Sequence, residues 1–213
     1  MSDLLQTIYK SVTAANRDGV EANVQQAIDQ AISPERILNE GLIAPMKEIG
    51  SRFENGEIFV PEMLVAARAM KAGLAKLRPL LADADVEASG KVVIGTVEGD
   101  LHDIGKNLVA IMLEGAGFEV FDLGTDVSPE AFAEAIQEHE AQLVGMSALL
   151  TTTMENMKLT IEVLEEMGIR ESVGIVIGGA PVTEAFAEKI GADAFAADAS
   201  RAVAAARALV DGT

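Results

Sequence analysis

Val92-Val93-Ile94-Gly95-Thr96-Val97, followed at once by Glu98-Gly99-Asp100-Leu101-His102-Asp103-Ile104-Gly105, is the stretch that decides the fold. Its first six residues are almost unbroken apolar, the pattern of a strand buried on both faces in a parallel sheet. The next eight are polar and glycine-containing, and they lead into a helical period over 104–115. The same strand–loop–helix unit recurs downstream. Strands are expected at 118–123, 143–147, 174–177 and 192–195. Helices are expected from Ser128-Pro129-Glu130, then over 154–167, 182–190 and 199–209. Alternation of this kind predicts an α/β domain, a flavodoxin-like (Rossmann-like) doubly wound five-stranded parallel sheet in the order 2-1-3-4-5.

Upstream of Val92 the period changes. Leu4, Leu5, Ile8 and Val12, then Val20, Val24, Ala27, Ile28 and Ala31, then Ile37, Leu38, Leu42, Ile43 and Met46 recur at helical spacing. Ser33-Pro34-Glu35 is a helix start, with Ser as cap and Pro at the first helical position. Pro61 opens a further helix, which Pro79 is expected to end. Four or five helices with short connections make an N-terminal bundle. Residues 83–90, acidic and aperiodic, read as a linker, which sets the domains at 1–88 and 89–213.

Composition removes whole classes of function. Lys and Arg number 16 against 34 Asp and Glu, a net charge of -18 that repels phosphate backbones and anionic membranes. The C-terminal half carries most of it: nine basic residues against thirteen acidic in residues 1–90, seven against twenty-one in 91–213. Aromatics are 4% with no Trp, a poor base for stacking nucleic-acid bases. Cys is absent, which excludes disulfides, thiolate metal sites and cysteine nucleophiles. No apolar run is long enough to span a bilayer and no secretory signal is evident, so a cytoplasmic protein is expected.

Open parallel sheets bind ligands at the carboxyl ends of their strands, where the strand order reverses. Three unusual loops should meet there: residues 98–105, residues 147–153, and Gly178-Gly179-Ala180-Pro181. Asp100 and His102 are two apart, so the carboxylate can reach the imidazole, orient it and raise the basicity of its other nitrogen. A carboxylate that only caps the following helix is the competing reading. Ser147 and Thr151-Thr152-Thr153 offer hydroxyls to a ligand or caps to a helix. Gly178-Gly179 leaves room for a flat or extended ligand, or makes a tight turn before Pro181.

These residues carry a family pattern. Asp100-Leu101-His102-Asp103-Ile104-Gly105 matches the Asp-x-His-x-x-Gly motif of cobalamin-binding domains. Ser147-Ala148-Leu149 matches its Ser-x-Leu partner, and Gly178-Gly179 its Gly-Gly partner. The resemblance covers nearly the whole chain. Residues 1–90 resemble the helical cap that precedes the corrinoid domain in methionine synthase and in methanogen-type methyltransferase corrinoid proteins, and residues 46–61 are close to that cap's signature.

The resemblance implies that His102 ligates the cobalt of cobalamin or a related corrinoid from below. Asp100 and Thr153 would continue a proton relay; Thr153 keeps the hydroxyl of the Ser found there in methionine synthase and adds a methyl. Asp103, Ile104 and Gly105, with Ser147, Leu149, Thr151, Gly178 and Gly179, would line the cofactor and its displaced nucleotide tail. Phe53 and Val60 align with cap residues over the upper corrin face, Val60 replacing the Leu common there. The implied function is a methyl carrier, not an enzyme on its own. It would serve a substrate-specific corrinoid methyltransferase and an acceptor methyltransferase acting on coenzyme M or tetrahydrofolate, with a reductive activation protein. Three alternatives stay open. A corrinoid-binding sensor would ordinarily bring a basic helix–turn–helix, which is not seen. A phosphorylatable receiver domain would need an Asp where Ser147 stands. A cofactor-free interaction module is the third.

Overall fold

The computed structural model describes residues 3–83 and 88–212. The chain divides into two compact units, Met1–Glu87 with Gly115–Gly117, and Ala88–Glu114 with Phe118–Thr213. Of the expected linker, residues 84–87 lie outside the described residues, Asp83 closes a helix, and residues 88–90 carry no regular structure.

The first unit is helical. It contains α1 (Asp3–Thr13), α2 (Arg17–Asp29), the single turn α3 (Pro34–Arg36), α4 (Ala44–Glu54) and α5 (Val60–Asp83). Between α3 and α4 the chain stays helical but widens into a π-helix over Ile37–Ile43. The sequence pattern explains the widening. Ile37 and Leu42 are five apart, and a π-turn sets residues five apart on one face. Both are fully buried. Ser33 accepts from the Arg36 amide, and Pro34 follows at the first helical position, as the motif predicts. Helices approach closely where side chains are small. A Cβ on Gly73 of α5 would lie 2.7 Å from Val20 of α2 and 3.0 Å from Leu42. Leu5, Ile8, Val12, Val24, Met63 and Met70 complete a fully buried core.

One expectation fails here. Pro79 does not end its helix, since α5 continues through it to Asp83. Proline removes only its own N–H and crowds one carbonyl; the four residues after it still donate to the preceding turn. Leu77, fully buried, anchors the segment. Pro79 is itself exposed, so Pro79→Ala is expected to stabilise the helical unit, by up to about 3 kcal/mol. Thermal melting followed by far-ultraviolet circular dichroism checks this, and a lowered midpoint would contradict it.

The second unit holds β1 (Lys91–Thr96), α6 (Ile104–Gly115), β2 (Glu119–Asp122), α7 (Pro129–His139), β3 (Leu143–Ser147), α8 (Glu155–Glu166), β4 (Gly174–Gly178), α9 (Glu184–Ile190), β5 (Ala194–Ala196) and α10 (Ala199–Asp211). The strands form one sheet in the order β2-β1-β3-β4-β5, all parallel. One face packs Val93, Val144, Met146, Ile175 and Ile177 against α7, α8 and α9. The other packs Val176 and Ala196 against α10, with Val109 of α6 beside them. This is the doubly wound α/β arrangement that the apolar runs predict. Ser128, Thr183 and Asp198 cap α7, α9 and α10 with their side chains. The Thr183 cap is why α9 begins at Glu184 rather than at Val182. The strand expected at 192–195 forms at Ala194–Ala196 instead, because the left-handed Gly191 and the Ala192 amide first close α9.

Register places the ends of three strands side by side. Thr96 pairs with Ser147, and Ser147 with Gly178. The loops after β1, β3 and β4 therefore leave the sheet from one edge.

Candidate functional site

The loop after β1 leaves the sheet through a turn at Gly99, where φ is +78°. The Thr96 hydroxyl donates to the His102 carbonyl at 3.0 Å and holds the loop over the strand end. Asp100 is thereby turned inward and is fully buried, while the His102 side chain stays 52% exposed.

The Asp100 carboxylate is satisfied on both oxygens. Oδ1 accepts from His102 Nδ1 at 2.7 Å and from the His102 amide at 3.1 Å. Oδ2 accepts from the Leu149 amide at 2.7 Å, the Leu150 amide at 3.2 Å and the Thr153 hydroxyl at 2.8 Å. Burial pushes the Asp100 pKa up. The bonds from Leu149, from the ring and amide of His102 and from Thr153 outweigh it and hold the carboxyl well below the usual carboxylate range. An ionised carboxylate only accepts, so the proton on the shared bond belongs to His102 Nδ1. In the neutral ring the opposite nitrogen, Nε2, is then the one with the lone pair.

This geometry rejects the capping reading of Asp100: none of its partners is an amide of α6. Nor does the Thr153 hydroxyl cap α8. It points to Asp100 and to the Leu150 carbonyl, and α8 begins without a side-chain cap.

The other sequence candidates divide. Leu149 contributes its backbone amide to Asp100 and exposes its side chain. Asp103 accepts from Asn107 Nδ2 at 3.0 Å, which makes it part of the first turn of α6. Gly105 and Thr151 are exposed, and Ser147 is half-buried at the end of β3. Gly179 has φ +131°, and a Cβ there would stand 1.9 Å from the Ala148 carbonyl oxygen; on Gly178 it would stand 2.8 Å from the carbonyl of Ala196. The close approach of two backbones requires glycine at 179. In the helical unit, Phe53 lies in the last turn of α4 and Val60 opens α5, both half-buried, with Gly56 at φ +73° between them.

Several residues that hold the site carry no obvious mark in the sequence. The Gly99 amide donates to Asp126 Oδ1 at 2.7 Å, and Asn156 Nδ2 donates to the Glu98 carbonyl at 2.7 Å. Lys106, buried on α6, is bound by both oxygens of Asp122 and by Asn107. The turn signature Gly124-Thr125-Asp126 is the one cue that could have flagged Asp126.

Large apolar side chains stand in solvent on the same two loops: Ile104 is 84% exposed, Leu101 71%, Leu149 43% and Leu150 42%. A half-exposed imidazole with an available Nε2, on loops that bear outward aliphatic groups, fits a broad, largely apolar macrocycle whose metal takes one axial nitrogen. The second histidine, His139, has another fate, stacked on Phe121 with ring centroids 3.8 Å apart.

Comparison with known proteins supplies the family. Residues 90–207 match the family described as B12 binding domain, and residues 4–78 match a second family of that description. A dimethylamine corrinoid protein of Methanosarcina barkeri is 46% identical over 209 residues, covering 98% of this chain and 98% of that protein. In the solved methanol:cobalamin methyltransferase complex from Methanosarcina barkeri, one chain superposes with a TM-score of 0.92 at 31% identity, covering 100% of this chain and 81% of that one. The monomethylamine corrinoid protein of Methanosarcina barkeri gives a TM-score of 0.55 at 34% identity, covering 96% of this chain and 97% of that one. With relatives close to half identical over almost their full length, and a buried Asp100 holding an outward His102 at the carboxyl edge of the sheet, the chain belongs to the B12-binding family as a corrinoid protein.

Proposed function

We propose that the chain is the methyl-carrying subunit of a corrinoid-dependent methyltransferase system. It would be loaded by a substrate-specific corrinoid methyltransferase and unloaded by an acceptor methyltransferase acting on a thiol such as coenzyme M or on tetrahydrofolate. A reductive activation protein would restore it, in the cytoplasm. The observation that carries this reading is the Asp100–His102 pair, a buried anion behind a half-exposed imidazole. The relatives named for dimethylamine make a dimethylamine:corrinoid methyltransferase the first partner to test. No helix among the described residues is long and apolar enough to cross a membrane.

When bound, the corrinoid's cobalt supplies a strongly reducing, nucleophilic centre that takes and gives a methyl group. The protein's part is to hold and tune. His102 would offer Nε2 to the cobalt, and Asp100 fixes the ring through Nδ1 and keeps negative charge behind it. Thr153 and the Leu149 and Leu150 amides hold that charge in place. The same Asp100 bond would leave any proton held at His102 Nε2 on an already paired imidazolium. Asp103, Ile104 and Gly105 beside the ligand, and Ser147, Leu149, Thr151, Gly178 and Gly179 along the sheet edge, would line the macrocycle and its nucleotide tail. Phe53 and Val60, apolar on either side of Gly56, would shield the upper face between encounters.

The test is reconstitution with hydroxocobalamin, followed by visible spectroscopy. The wild-type chain is expected to bind with imidazole coordination, and His102→Ala to bind without it and more weakly. An identical spectrum in the two proteins would overturn the assignment of His102.

A further inference from the structure

Asp126 lies outside the three motifs of the site, yet it grips Gly99 and Asp100, on which the site depends. It sits in the connection between β2 and α7 with φ +56°, the left-handed region that a residue with a Cβ seldom occupies. Asparagine and aspartate enter that region more readily than other such residues. Two hydrogen bonds run between Asp126 and the turn that carries Asp100. The Gly99 amide donates to Asp126 Oδ1 at 2.7 Å, and the Asp126 amide donates to the Asp100 carbonyl at 3.0 Å. Gly99 is left-handed too, so two unusual backbone conformations, one on each connection, hold each other in place. The next residue, Val127, continues the join by pairing with Val97.

We propose that Asp126 is a positioning residue for the Asp100–His102 pair: its carboxylate fixes the Gly99 peptide and thereby aims the Asp100 side chain at His102. The inference rests on the reading of His102 as the ligand and extends it to a residue whose bonds go to Gly99 and Asp100 and not to the imidazole. The physical case is one of leverage. Asp100 must accept from His102 on one oxygen and from Leu149, Leu150 and Thr153 on the other, and those donors belong to different loops. A rotation of the Gly99–Asp100 peptide by a few tens of degrees would satisfy one set at the expense of the other. The Thr96 hydroxyl restrains the turn from the His102 side, at the His102 carbonyl. Asn156 restrains it at the Glu98 carbonyl. The Asp100 amide itself donates to the Val97 carbonyl at 3.1 Å, and Asp126 grips the peptides on either side of it, at the Gly99 N–H and at the Asp100 carbonyl.

Three variants separate the contributions. Asp126→Asn keeps an acceptor oxygen and the tolerance for positive φ. Asp126→Gly relieves the backbone but removes the acceptor. Asp126→Ala removes the acceptor and strains the backbone. The readout is nitrogen-15 NMR of the two imidazoles in the full-length, cofactor-free chain; His139 is the only other histidine and is assigned by His139→Gln. In the wild type, His102 is expected to be locked with its proton on Nδ1, which exchanges slowly with water. Asp126→Asn is expected to match it. Asp126→Gly and Asp126→Ala are expected to shift His102 toward the other tautomer and to speed exchange of the Nδ1 proton about tenfold, the factor set by weakening one charge-assisted hydrogen bond. A merely structural role would lower stability without moving the tautomer. Should Asp126→Ala fold poorly, Asp126→Gly still decides. Wild-type tautomer and exchange in Asp126→Gly would overturn the proposal, as would Asp126→Asn behaving like Asp126→Gly. Cobalamin uptake by the wild type is measured separately. Absence of imidazole coordination there would overturn the ligand assignment and not the positioning role, which the cofactor-free spectra judge independently.

Discussion

Gly179→Ala is expected to destabilise the sheet unit by about 3 kcal/mol or more and to abolish cobalamin uptake. Two penalties coincide at this position. A φ of +131° is a conformation that L side chains rarely adopt, and the added Cβ would lie 1.9 Å from the Ala148 carbonyl oxygen. No flexible side chain stands there to move aside, so the main chain itself must retreat. Ala148 directly precedes Leu149 and Leu150, whose amides hold Asp100. A shift of Ala148 therefore strips donors from a fully buried carboxylate, raises its pKa and loosens His102 behind it. Gly178→Ala is the milder comparison, since its Cβ would meet the Ala196 carbonyl at 2.8 Å without a positive φ. Urea unfolding and spectroscopic titration with cobalamin measure both effects. Wild-type stability in Gly179→Ala would contradict the packing argument.

Asp100→Asn should cost on the order of 2–4 kcal/mol, because a side chain that only accepts is replaced by one that must also donate. Every neighbour of Asp100 Oδ1 and Oδ2 is a donor, so the new amide hydrogens face donors wherever they turn. The effect has a pH signature of definite sign. The folded state holds the Asp100 carboxyl well below its ordinary range, so the unfolded chain takes up that proton first as pH falls. The stability due to Asp100 is thus complete above the unfolded carboxyl value of about 4 and drains away below it. The gap between wild type and Asp100→Asn should be constant at neutral pH and narrow as pH drops below about 4. Urea midpoints measured across that range test it, and a gap that widened with acid would show that the carboxylate is not held in its charged form.

How far the sequence alone discloses this architecture depends on where the information resides. Doubly buried strands announce themselves as apolar runs, and Ser128 before Pro129 marks its helix because a cap is a side-chain property. The π-helix over Ile37–Ile43 stays hidden because the spacing of four from Leu38 to Leu42 passes for ordinary helical period. Pro79 misleads because a lost hydrogen bond ends a helix only where nothing else holds it. In the site, Asp100 and His102 show as a motif, but their spacing fits a cap as well as a relay. The bonds from the Leu149 and Leu150 amides speak against the cap, and main-chain amides leave no trace in residue identity. Beside the turn or ligand space that Gly178-Gly179 suggests, a neighbouring carbonyl demands glycine at 179, which only the register of β3 against β4 reveals.

Three of the five bonds to the buried anion come from peptide groups, and this separates two quantities that selection or redesign would otherwise have to alter together. Residues 149 and 150 can exchange one aliphatic group for another, reshaping the surface they turn outward, while their amides go on gripping the same charge. Shape at the rim and electrical potential behind the imidazole are therefore independent dials. A lineage can reshape its rim while the tuning of His102 is inherited intact.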